Sequence, residues 1–156
     1  MNFTRQRAGY FAKKIGSKTE DDIEAKCRHQ GILLISIPSG CEWVGANRVI
    51  PVPTPFDCVG IWGKNDIFFD IKTTANSSFS YSAIHAKPHQ IDWLVRIAKR
   101  DRRAGFLVHF REAQQLVWFD AVKMAQVQKR ESLGPQDGLN LGEFYQADLT
   151  RIFLME

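Results

Sequence analysis

The feature that most constrains this chain is Ile67-Phe-Phe-Asp-Ile-Lys72, a short apolar run with one acid and one base set two apart. Side chains alternate across a strand, so Phe68, Asp70 and Lys72 share one face and Ile67, Phe69 and Ile71 the other. Residues two apart on one face lie roughly 6.7 Å apart. The apolar neighbours predict burial, and a buried carboxylate without a partner is costly. Just upstream, Thr54-Pro-Phe-Asp-Cys-Val-Gly-Ile-Trp62 reads as a second strand with Asp57 at its start, and Gly63-Lys-Asn-Asp66 as the turn between them. A second carboxylate, an ammonium and a divalent cation would together resolve the cost of burying Asp70.

The flanking segments supply candidates to join this hairpin. A helix is expected over 18–30, with Ser17 as N-cap, Glu20 as its capping-box partner and Gly31 as the stop. Ile23 and Cys27 mark its inward face, and Glu20 shares that face. Glu20 therefore reaches the core edge or an active site, or acts only as a cap; Glu24, one turn on, is the rival acid. Ile32–Ile37 reads as a strand. Residues 38–54 read as a protruding hairpin between prolines, with Trp43 and Arg48 near its tip. There Trp43 either meets a nucleic-acid base or packs back on the domain.

A second helix signal starts at Pro88, a residue suited to the first helical position. Ile91, Leu94, Val95 and Ala98 form its core stripe, Gln90 lies in its first turn, and it is expected to run to Arg103 with Gly105 as terminator. Arg96, Lys99, Arg100 and Arg103 line its other face. His85 and His89 have metal-pair spacing, but Pro88 between them favours a non-ligand reading. Strands are expected at 106–110 and 116–119, then a helix at 120–129, a loop at 134–138 and a docked apolar tail. The order predicts an α/β fold with a mixed central sheet flanked by helices.

At 156 residues the chain suits one domain, 17–156, preceded by a basic mobile arm, 1–16. Residues 1–18 carry Arg5, Arg7, Lys13, Lys14 and Lys18 and no acid, and 96–103 are also strongly basic, although the whole chain is only +4. Two basic patches on an otherwise acidic protein point to a polyanion such as nucleic acid. No apolar run approaches a membrane span and no signal-peptide core is seen, so a cytoplasmic protein without a membrane partner is expected, in a host cytoplasm if the gene is viral. Cys27, Cys41 and Cys58 make neither a disulfide framework nor a zinc motif and are read as reduced thiols.

Phosphodiester hydrolysis needs a stronger nucleophile and relief of charge in the transition state, and a divalent metal supplies both. Mg²⁺ takes oxygen ligands. Asp57 and Asp70 offer carboxylates, the Ile71 carbonyl a third oxygen, and Glu20 a contact through water. Lys72 is placed to orient the attacking water.

A Glu on the first helix, then Asp57, then Asp70-Ile-Lys72 resembles the PD-(D/E)xK nuclease superfamily. Gly31, Thr-Pro-Phe-Asp57, Phe-Phe-Asp-Ile-Lys72, His89-Gln90 and Gly105-Phe-Leu-Val-His-Phe110 are similar to RecU-type and archaeal-type Holliday junction resolvases over about residues 16–120. The resemblance implies a restriction-endonuclease-like core and a Mg²⁺-dependent homodimer, with Mn²⁺ as a substitute, that nicks opposed strands of a four-way DNA junction. It assigns Glu20, Asp57, Asp70, Lys72 and Gln90 to the active site, and sends the 38–54 insertion to the junction centre. Two departures stand out: Asp70 replaces the usual Glu, and the proline lies two before Asp57 rather than next to it. The alternatives are a restriction or repair endonuclease of the same fold, a DNA-binding accessory protein without turnover, and a domain whose acids are merely ion-paired.

Overall fold

The computed structural model describes residues 3–38, 40–43 and 48–155, with side chains from residue 15 onward except those of 41, 43, 49 and 51. Helix α1 (Phe3–His29) leads into β1 (Leu33–Ser36), the hairpin β2 (Gly40–Trp43) and β3 (Val49–Val52), then β4 (Cys58–Trp62) and the long β5 (Asn65–Thr74). There follow β6 (Phe79–Ser80), α2 (Tyr81–Ile84), α3 (Pro88–Ala98), β7 (Arg103–Phe110), β8 (Gln115–Asp120), α4 (Ala121–Gln126), β9 (Ser132–Leu133), β10 (Leu139–Glu143) and α5 (Thr150–Phe153). Six strands form one sheet in the order β1-β4-β5-β7-β8-β10. Only β5 and β7 run parallel; the other neighbours are antiparallel. This is the mixed sheet expected from the sequence.

One face of the sheet packs Phe69, Ile71, Leu107 and Trp118 against Ile23 and Cys27 of α1 and Ile152 and Phe153 of α5. The other packs Phe106, Val108 and Phe119 against Ile91 and Leu94 of α3 and Met124 of α4. β7 is central and buried on both faces, so Ala104–Phe110 reads as a continuous apolar run instead of an alternating one. In the β4–β5 hairpin Trp62 pairs with Asn65, and Gly63 supplies the positive φ of +61° that this two-residue turn requires.

Three local expectations are corrected. The first helix does not begin at Lys18; the helix already runs from Phe3, so the segment read as an arm is helical from that residue. Residues 3–16 hold good helix formers and no proline. Ser17 is then mid-helix and caps nothing, and the Thr19 hydroxyl donates back to Ile15 O at 3.1 Å, one turn earlier. Second, α3 ends at Ala98, with Lys99 as its C-cap and Asp101 at φ +57° turning the chain. Gly105 lies instead inside β7, where an added Cβ would sit 2.2 Å from Phe119 O. Third, the helix expected over 120–129 covers only Ala121–Gln126; Asp120 caps it, accepting from the Val122 N–H at 2.7 Å.

The insertion forms the expected antiparallel hairpin, from Gly40 opposite Val52 to Trp43 opposite Val49. The tail docks as expected, with Ile152 and Phe153 buried. Gln30 ties it to α1: its amide donates to Ala147 O at 2.7 Å and its carbonyl accepts from the Leu149 N–H at 2.8 Å. Cys27 and Cys58 are buried free thiols, and burial pushes both up to about 12, so they are chemically quiet.

Candidate active site

The site lies in a notch of the sheet. β4 pairs with β5 only as far as Cys58 opposite Phe69, so beyond Phe69 the outer edge of β5 has no strand beside it. Asp57, one residue before β4, fills the first step of that gap: its Oδ2 accepts the Ile71 N–H at 3.1 Å. An extended residue sends its N–H and C=O to the same edge, so the Ile71 carbonyl also faces the notch.

Asp70 follows at once and is fully buried, on the α3 face with Lys72. Its Oδ1 accepts from Gln90 Nε2 at 2.7 Å, and Gln90 Oε1 accepts from Lys72 Nζ at 2.9 Å. Asp70 Oδ2 is closed off from solvent by the protein and forms an ion pair with Lys72 Nζ. Gln90, itself buried in the first turn of α3, therefore sets the geometry of both charged groups.

Burial pushes Asp70 up to about 7; Lys72 opposes the shift and the neighbouring Asp57 carboxylate adds to it. Glu20 is raised as well, first by burial and then by repulsion from Asp57 and Asp21, with Lys87 and Lys72 opposing. Asp57 thus couples to both other acids; with Glu20, Ile71 and Lys87 it lines a cleft of about 560 Å³, and Asp70 lies buried behind it.

These residues fit a divalent cation. Two facing carboxylates, Asp57 and Asp70, and an edge carbonyl are the hard oxygen donors that such ions take. Among the described residues no three His, Cys, Asp or Glu side chains converge into a cage. His85 packs against Tyr81 with ring centroids 4.3 Å apart and the rings tilted by 35°.

The structure thus brings together Asp57, Asp70, Ile71, Lys72 and Gln90, and sets Glu20 at the cleft wall. Glu24 also lines the cleft but is tied to Arg28 at 3.0 Å. Lys87, just ahead of Pro88, joins the cleft and was not anticipated; its only sequence signal is a base directly before the helix that carries Gln90. Arg96, Lys99, Arg100 and Arg48 are exposed. Arg103 is corrected: it is not on a helical face but opens β7, where its guanidinium donates to the carbonyls of Ile152 and Met155. Arg5, Arg7, Lys13 and Lys14 lie on α1 and Trp43 on β2, but their side chains are outside those described.

Comparison with known proteins gives the family and the fold. The family model for recombination protein U (RecU) matches residues 49–151. That span contains Asp57, Asp70, Lys72 and Gln90, extends beyond residue 120 to take in β10 and the start of α5, and leaves α1 with Glu20 outside. No curated protein matches. Among solved structures, the Holliday junction resolvase Hjc of Archaeoglobus fulgidus, an archaeal hyperthermophile, is similar in fold, with a TM-score of 0.54 and 17% identity over 80% of this chain and 95% of that one. Matched over about two thirds of its length, this chain belongs to the RecU family of Holliday junction resolvases, which are endonucleases that generally depend on a divalent metal.

Proposed function

We propose that the notch is the hydrolytic centre of a Mg²⁺-dependent endonuclease that resolves four-way DNA junctions by paired nicks, acting as a homodimer. The observation that carries this reading is Asp70: a fully buried carboxylate facing a second acid and paired with Lys72, beside the stretch of the β5 edge that β4 leaves open. A protein that needed only stability would gain from replacing such a group with an apolar one.

Asp57, Asp70 and the Ile71 carbonyl would hold the ion, with Mn²⁺ able to replace Mg²⁺. When bound, the ion supplies Lewis acidity and charge neutralisation at the phosphate. Gln90 locks the Lys72 ammonium against Asp70, so that Lys72 orients the attacking water and offsets charge gathering on the phosphoryl oxygens. Glu20, with its affinity for a proton raised, orders water at the cleft wall and receives a proton released there. Arg96, Lys99 and Arg100, with Arg5, Arg7, Lys13 and Lys14 on α1, bind phosphates without reading sequence. Trp43 and Arg48 on the β2–β3 hairpin contact the open centre of the junction.

The test is cleavage of a labelled immobile four-way junction beside matched linear duplex, with Mg²⁺ and with EDTA, for the wild type and Asp70→Asn. Symmetric paired nicks on the junction alone, lost with EDTA and in the variant, support the reading. Cutting of linear duplex to the same extent would favour a general nuclease of this fold. Tight binding without cutting under any divalent ion would leave a binding protein. Sedimentation of the free protein tests the dimer.

A further inference from the structure

The exposed flank of α3 carries a side chain that the roles above leave unused. Helix α4 packs against α3, where Ile91 and Leu94 share a core with Met124. Away from that contact Trp93 stands 49% exposed, a large apolar ring left in solvent. It is not isolated. The Arg96 guanidinium carbon lies 5.8 Å from the indole centroid, within cation–π range. Arg100 turns back so that its Nη1 donates to Arg96 O at 2.9 Å, which brings a second guanidinium to the same patch. Trp and Arg are among the residue types most enriched where binding energy concentrates.

The position of the patch gives it a partner. Gln90, one turn before Trp93, holds Asp70 and Lys72, and Lys87 at the start of the same helix lines the catalytic cleft. Three helical residues advance about 4.5 Å along the axis, so Trp93 stands about one helical turn along α3 from the residue that holds Asp70 and Lys72. DNA cut at the cleft and held on the basic flank of α3 would pass Trp93. The surrounding charge is Arg96, Lys99 and Arg100, which suits phosphates flanking a base.

We propose that Trp93, braced by Arg96, stacks on an unstacked base beside the cleaved phosphate at the branch point. This inference rests on the resolvase reading and adds to it a residue that recognises structure. In a continuous duplex every base face is covered by its neighbour. At a branch the stack is interrupted and one face is open to an aromatic ring, whatever the base. Trp93 therefore distinguishes a junction from a duplex without reading sequence.

The test is binding in EDTA, where no cutting occurs, of fluorescently labelled four-way junction and of matched linear duplex by wild type, Trp93→Ala and Trp93→Phe, with a thermal melt of each variant. Trp93→Ala is expected to weaken junction binding roughly tenfold, the size of one lost stacking contact, and to leave duplex binding within about twofold. Trp93→Phe should restore most of the loss. The slope of log Kd against log salt should not change in Trp93→Ala, because stacking releases no counterions, whereas Arg96→Gln should lower it by about one. If Trp93→Ala binds the junction like wild type, or loses junction and duplex equally, the inference is overturned while junction selectivity stands. A wild type that binds junction and duplex alike overturns the resolvase reading and this inference together.

Discussion

Gln90 donates its amide to Asp70 Oδ1 at 2.7 Å, and both side chains are buried. Because the same side chain also accepts from Lys72 at 2.9 Å, one neutral amide on α3 controls the acid and the base of β5. Gln90→Leu keeps the volume near that of the native side chain and removes both bonds. It should leave Asp70 Oδ1 without a donor, cost about 1–3 kcal/mol of stability, and reduce junction cutting at least tenfold. Urea denaturation and single-turnover cleavage check this; unchanged cutting would separate Gln90 from catalysis.

Asp70→Asn should behave oppositely in binding and in stability. Removing a carboxylate that burial already disfavours is expected to leave the melting temperature in EDTA at or above that of wild type. Titration with Mg²⁺ should raise the melting temperature of wild type by mass action and leave that of the variant unmoved. Equal stabilisation of both proteins would remove Asp70 from the ion site.

His109 predicts an acid-sensitive term away from the cleft. Its imidazole stacks on Phe144 with centroids 3.7 Å apart, and neither ring nitrogen has a partner among the described residues. Burial first, then Arg111, lowers its pKa from the ordinary 6.5 to about 4, with Asp22 opposing. The fold therefore disfavours the charged form. The stability associated with neutral His109 is complete above the unfolded pKa and is lost as pH falls from about 6.5 through about 4, by about 3 kcal/mol at most. Asp70 works the other way, since its raised pKa makes the fold gain as pH falls below about 7. Comparing wild type with His109→Gln by urea denaturation at pH 7 and pH 4.5 isolates the histidine: the variant should lose less stability on acidification.

Arg103→Ala tests whether this arginine belongs to the fold or to the DNA surface. Its guanidinium holds the carbonyls of Ile152 and Met155, so the substitution should lower stability by about 1–3 kcal/mol and speed proteolysis near the end of the chain. The salt dependence of junction binding should not change. A fall in the salt slope would return Arg103 to the phosphate contacts.

Gly105→Ala places a methyl group 2.2 Å from Phe119 O and 2.7 Å from the Trp118 ring. Neither a backbone carbonyl nor a buried indole can yield that distance without parting β7 from β8. A loss of about 3 kcal/mol or more is expected, read by chemical denaturation.

The catalytic strand was legible because alternation is a local property. Asp70 and Lys72 share a face in any extended strand, and the apolar residues around them announce burial before any partner is known. Gly31 and Gly63 were legible for a similar reason, since both take the positive φ that side chains resist. Other features were not local. The start of α1 was misread because Ser17 and Glu20 form a cap signature that a continuing helix ignores when nothing breaks it upstream. Gly105 was misread as a helix stop because its small size serves a neighbouring strand 14 residues away, opposite Asp120 and against Phe119. Arg103 looked like one more base in a basic run, and only the return of the tail to the start of β7 gives it carbonyls to bind.

By itself, then, the order of residues determined which groups could do the chemistry, because spacing along one strand or helix sets which side chains share a face. Tertiary structure alone decided how they meet. β4 starts only at Cys58, opposite Phe69, while β5 runs on to Thr74, and that mismatch in length opens the notch. α1 then brings Glu20 to the notch from one face of the sheet and α3 brings Gln90 to Asp70 and Lys72 from the other. Such contacts depend on where strands stop and how helices pack, and these are properties of the assembled sheet that no single stretch of sequence carries.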